Sequence, residues 1–144
     1  MAREMVLNIG IVIAVGFLLV GCDGLWPDTC WRSERYVLLA VDTSGQMSLS
    51  FDLGDGTCMR LVGATVYSIG ANDKYIVVKQ HPSTDDFGGF DQATTRYFIV
   101  ERTASPSFAD RQKGVRGPLT KEEFEKQAGS LSLPNFSRTF DDLK

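Results

Sequence analysis

A chain of 144 residues with 15 basic and 18 acidic side chains carries a formal net charge of −3, and 43% of it is hydrophobic. Mild acidity argues against nucleic-acid binding, which draws on a basic patch. The length suits one domain large enough to bury its own core.

The chain opens with the layout of an export signal. Arg3 adds positive charge near the amino terminus, partly offset by Glu4, and Val6 to Val20 is an apolar run broken only by Asn8 and two glycines. A run of about 15 residues falls short of the about 20 needed to cross a hydrocarbon core. It suits the apolar region of a signal peptide; a buried core helix or a plain membrane anchor is the alternative for the run taken alone. It ends in Leu19-Val20-Gly21-Cys22, which resembles the lipobox of bacterial lipoproteins. That resemblance implies cleavage before Cys22, diacylglycerol on its thiol and acylation of the new amino terminus. Two or more chains anchor a protein stably where one holds it only marginally. Asp23 resembles the inner-membrane retention signal of enterobacterial sorting. The expected organisation is therefore a signal peptide (1–21), a lipidated tether (22–34) and a single β-rich domain (35–144). The protein is expected on the cell membrane, lipid-anchored and facing outward, at the periplasmic face of the inner membrane in a Gram-negative cell. No cofactor is expected beyond the covalent lipid on Cys22. The signal takes one cation and one anion with it, so the net charge is unchanged.

Two further cysteines, Cys30 and Cys58, would reach an oxidising compartment, where a disulfide between them is expected; two separate thiols are the alternative.

From Arg35 the pattern has a period of two. Tyr36 to Val41 is a continuous apolar run of strand length. Gln46 to Leu53 alternates, with Met47, Leu49, Phe51 and Leu53 on one side and Gln46, Ser48, Ser50 and Asp52 on the other, as a half-buried antiparallel strand does. Gly54-Asp55-Gly56 is a turn, and the ladder resumes at Thr57. "TVYSIG" and "KYIVVKQ" flank a hairpin turn at Ala71-Asn72-Asp73, and Thr95 to Arg102 is a last strand after a long polar loop, His81 to Thr94. The basic residues Arg111, Lys113 and Arg116 read as a solvated connection. Thr120 and Glu123 form a capping box, with Leu119 and Phe124 as its staple and Gly129 placed to end the helix. Two phenylalanines in the tail, Phe136 and Phe140, are suited to pinning it down. The expected fold is mainly β: an antiparallel meander of about five or six strands with one helix near the C-terminus.

The segments "NDKYIVVKQ", "RYFIVER" and "GPLTKEEFEK" resemble a family of small bacterial lipoproteins whose shared domain has no known function. The likeness runs from about Tyr36 to Pro134 and concerns structural segments. It implies a small β-rich domain with one late helix, and no activity.

No catalytic constellation stands out. "VDTSGQMS" (Val41 to Ser48) resembles the metal-ion-dependent adhesion motif of von Willebrand A domains, with Asp42 and Ser44 in place but Gln46 where the second serine belongs. The following alternation reads instead as a hairpin turn built from Asp42 to Gly45. His81, followed by Pro82, reads as a surface histidine at a loop start, and no Gly-x-Ser-x-Gly elbow surrounds any serine. The remaining feature is "STDDFGGFD", where Asp85, Asp86 and Asp91 surround Phe87 and Phe90. Aromatics are favoured interface anchors, so this loop is the candidate contact for a basic protein partner. Weak calcium binding, or both rings folding back onto the sheet, are its alternatives. The expectation is a non-enzymatic binding or envelope accessory protein, one form being a periplasmic immunity-type inhibitor of a toxin. The competing class is a cation-binding or hydrolytic protein using Asp42 and Ser44.

Overall fold

The computed structural model describes residues 28–105 and 107–144. The signal peptide, the lipobox cysteine Cys22 and Asp23 lie outside the described residues.

The domain is mainly β. Its strands are β1 (Asp28–Ser33), β2 (Tyr36–Ala40), β3 (Ser48–Asp52), β4 (Cys58–Val62), β5 (Val66–Ala71), β6 (Tyr75–Gln80), β7 (Arg96–Glu101), β8 (Val115–Leu119) and β9 (Arg138–Thr139). Two helices, α1 (Phe108–Lys113) and α2 (Lys121–Ala128), flank β8. All strand pairs are antiparallel. The six strands read from the sequence are β2 to β7. They do not continue as one meander: the chain forms one sheet in the order β1-β2-β3-β4 and a second in the order β8-β7-β6-β5-β9. The break falls between β4 and β5, where the Val66 N–H donates to the Met47 carbonyl across the junction (2.8 Å).

Burial explains the break. A single sheet with one short helix leaves most of one apolar face in water, whereas two sheets cover each other's inner faces. Leu38, Leu49, Phe51 and Val62 of the first sheet share one core with Ile69, Ile76, Val78, Phe98 and Val100 of the second. The second sheet is buried on both faces, because Val77 and Ile99 point the other way into a cluster with Phe124 of α2, Leu131, Leu133 and Phe136. This is why β6 and β7 read as unbroken apolar runs while β3 alternates. The capping box is fully formed. Thr120 Oγ1 accepts from the Glu123 N–H (3.2 Å), and the Glu123 carboxylate accepts from the Thr120 N–H (2.7 Å); Gly129 is the C-cap. Phe136 and Phe140 pin the tail to opposite faces of the second sheet.

Three details depart from the sequence reading. Residues 28–33, read as tether, are strand β1, paired with β2 from Asp28↔Ala40 to Ser33↔Tyr36. The expected Cys30–Cys58 disulfide is not formed, and Cys58 is an exposed free thiol. The two residues sit on β1 and β4, the opposite edges of one sheet. Three strand spacings put those edges about 14 Å apart, against roughly 4.4–6.8 Å between bridged Cα atoms. Finally, Arg111 is not part of a solvated connection. It is buried on α1, with its guanidinium 3.4 Å from the centroid of the Phe51 ring. Lys113 and Arg116 do remain near the surface, beside Asp110 and Glu101.

Candidate functional site

The loop between β6 and β7 joins two other segments at one end of the sandwich. The β2–β3 connection carries a short 3-10 turn, Ser44–Gln46, so Asp42 to Gly45 do link antiparallel neighbours. Gln46 braces this turn: its side-chain carbonyl accepts from the Asp42 N–H (2.9 Å), and its amide donates to the Asp86 carbonyl (2.8 Å). Backbone contact adds to this. A Cβ on Gly45 would collide with the Gly88 carbonyl, and Gly88 itself, at φ +98, lies against Thr43. A side chain at either glycine would hold the loop off the turn. At the far side of the loop, the Gln92 side-chain amide donates to the Lys144 carbonyl.

The base of the loop is aromatic and buried. His81 is 3% exposed, not a surface residue. Its ring stacks on Tyr67 with centroids 4.2 Å apart and on Phe90 at 5.7 Å, both nearly parallel. Nδ1 lies 2.7 Å from the Thr94 carbonyl; since a carbonyl only accepts, Nδ1 carries a proton and donates it there. Nε2 is buried with no hydrogen-bond partner among the described residues. The His81 and Thr65 backbones exchange two hydrogen bonds (2.9 Å each), and the Thr65 hydroxyl donates to the Gly45 carbonyl. The loop base, the sheet junction and the turn are thus one bonded unit. The sequence missed this histidine because its burial comes from Tyr67 on a neighbouring strand. The adjoining signal was Phe90, an aromatic close enough along the loop to close over it.

The structure separates the predicted contact residues. Phe90 packs inward, bridged to Ser83. Phe87 is 86% exposed. Asp85 is committed to its own turn, its carboxylate accepting from the Gly89 (2.9 Å) and Phe87 (2.8 Å) N–H groups, which hold its pKa below the ordinary value. Asp91 is held low in the same way by the Thr94 hydroxyl (2.6 Å) and the Ala93 N–H (3.0 Å). Asp42 and Asp86 are exposed and form no ion pair among the described residues. Val41, 50% exposed, completes the rim. An open cleft of about 240 Å³ lies between Val41, Gln46, Arg60, Ser83, Asp85 and Asp86, below the several hundred Å³ usual for a small-molecule site. Among the described residues no three His, Cys, Asp or Glu side chains gather as metal ligands, and Ser44 serves to open the 3-10 turn.

The profile of the family described as Protein of unknown function (DUF3997) matches residues 34–142. The chain belongs to the DUF3997 family. The matched span takes in β2 to β9, both helices and the whole Phe87 rim, and starts just after β1. No curated protein and no solved structure matches the chain. Among the described residues of this DUF3997 chain no helix is long and apolar enough to cross a membrane.

Proposed function

We propose that this DUF3997 chain is an exported, non-enzymatic binding or accessory protein, anchored to the membrane by lipid on Cys22, whose contact is the rim bearing Phe87. The anchor is supported by the sequence: the apolar run ending in Leu19-Val20-Gly21-Cys22. The binding role is carried by one observation. Phe87 is 86% exposed on a loop whose backbone is tied down by Asp85, Gln46 and the Gly45–Gly88 contact. An ordered loop presents the ring at little further entropic cost, and burying it against a partner is worth about 1.5–3 kcal/mol.

Two experiments test the two halves. Fractionation with mass spectrometry of the N-terminal peptide tests the anchor: lipid on Cys22 in the membrane fraction supports it, and an unmodified soluble chain contradicts it. Chemical cross-linking in the native cells tests the contact: a partner lost with Phe87→Ser supports the role, and recovery unaffected by that change contradicts it.

A further inference from the structure

We infer that residues 137–144 form a releasable strap that sets the position of the Phe87 loop: freeing the strap from β5 withdraws the rim while both sheets stay folded. The inference goes beyond the binding role, and it holds whether or not Phe87 meets a partner.

The strap is lightly held along its length. β9 is two residues, Arg138 and Thr139, both exposed, and it pairs with β5 only at Ser68↔Thr139 and Ile69↔Arg138. The Ser137 N–H donates to the Ile69 carbonyl (3.0 Å) and the Phe140 N–H to the Tyr67 carbonyl (2.8 Å). The hydroxyls of Ser68 and Thr139 lie 2.8 Å apart. Apolar anchoring comes only towards the end, where Phe140 packs against the cluster that buries Leu143. Segments with few buried apolar contacts and exposed backbone bonds open as units, below the free energy of global unfolding. Upstream, Phe136 is fixed in the cluster around Phe124, and the Asn135 carbonyl lies where a Cβ on Gly70 would collide with it. The strap therefore pivots after Phe136.

The loop leans on the same residues as the strap. Tyr67 joins the two: its carbonyl receives the Phe140 N–H, and its ring carries His81, on which Phe90 stacks in turn. Leu143, Phe140, Tyr67 and Phe90 belong to one apolar cluster. On the loop's far side, the Gln92 side-chain amide donates to the Lys144 carbonyl. The strap thus meets the loop base through Tyr67 and the loop itself through Gln92. Opening it takes Leu143 and Phe140 out of the cluster and leaves Gln92 without its acceptor. The loop is then held on one side alone, by Gln46 and the Gly45–Gly88 contact, and Phe87 is no longer fixed. β5 becomes the edge of its sheet, and its pairing with β6 is untouched.

Native-state hydrogen exchange on the full chain, followed amide by amide, tests the inference. The strap reports through Ser137 and Phe140. The loop reports through Thr84 and Asp91, whose N–H groups donate to the Gly89 and Pro82 carbonyls. All four amides should share one protection factor, at least about a hundredfold below that of Ile76 to Val78 in β6. Leu143→Ala alters only the strap, yet it should speed exchange in strap and loop by the same factor, at least about tenfold. Thr139→Ala, at an exposed residue, removes the bond to Ser68 and should speed both about two- to tenfold; it decides the matter where the Leu143 variant fails to fold. Different protection factors in strap and loop, a loop indifferent to changes in the strap, or strap amides as slow as those of β6 each overturn the inference. Cross-linking through Phe87 reports on the partner separately, so either reading can fail without the other.

Discussion

The imidazole of His81 lies flat on the phenol ring of Tyr67, with centroids 4.2 Å apart and planes 7° from parallel. Through this contact the long loop takes its position from β5 as well as from the strands it joins. Tyr67 is itself fixed by its hydroxyl, 3.1 Å from that of Thr95. His81→Ala should therefore cost about 2–4 kcal/mol in urea unfolding, the range for emptying a buried aromatic site. His81→Phe keeps a flat ring and removes the orphaned Nε2, but leaves the Thr94 carbonyl without its donor, and should cost only about 1 kcal/mol. Equal losses in the two variants would show that ring stacking is not what holds the loop.

Gly45 tests the other attachment. Its Cβ would meet the Gly88 carbonyl, a backbone atom that cannot rotate away. Gly45→Ala should cost about 1–3 kcal/mol and speed hydrogen exchange at the Thr84 amide, which donates to the Gly89 carbonyl and closes the loop, and at the Gly89 amide, which donates to Asp85. Unchanged exchange there would mean that the loop holds its shape without the turn.

Arg111 is a buried cation resting on Phe51, with Nε and Nη1 lacking hydrogen-bond partners among the described residues. Its cost is desolvation, and its gain is the cation–π contact and the packing of its stem. Arg111→Met keeps the stem and discards the charge, so it should be neutral or stabilising in thermal unfolding. Arg111→Ala loses the stem as well and should fall about 1–2 kcal/mol below the Met variant. A large loss in both would show that the charge itself is needed.

The Asp85 turn has a pH signature. Hydrogen bonds from Gly89 and Phe87 place its folded pKa below the ordinary 3.8. A depressed carboxylate stabilises the fold fully above its unfolded value, and that contribution is lost as pH falls through the folded one. In an acid titration followed by NMR, the Phe87 and Gly89 amide resonances should move with a midpoint under 3.8. Asp85→Asn retains an acceptor oxygen and should abolish the transition. A midpoint at or above 3.8 in the native chain contradicts the turn as described.

What could be read in the sequence was whatever is encoded locally. The alternation around Met47–Leu53 marked β3, the apolar runs marked β6 and β7, and Thr120 with Glu123 marked the start of α2, each pattern being complete within a few residues. Contacts made across the fold were not legible. Asp28–Ser33 has no clean alternation and becomes a strand by pairing with β2. Phe87 and Phe90 look equivalent in "DDFGGFD", yet Gly88 and Gly89 reverse the chain so that one ring goes out and the other in. His81 and Arg111 are both polar and both buried against rings, Tyr67 and Phe51, that lie far off in the chain.

The central claim is that Phe87 is held out for a partner rather than left over from folding. The most direct measurement is in-cell cross-linking of the anchored protein, followed by mass spectrometry, on the native chain and on Phe87→Ser. Phe87 contributes little to the fold, so the variant should keep its stability to within about 0.5 kcal/mol, and any loss of partner then reports on contact. One stoichiometric partner is expected with the native chain, and its disappearance with Phe87→Ser. No partner above background, or the same partner recovered equally from both, would contradict it.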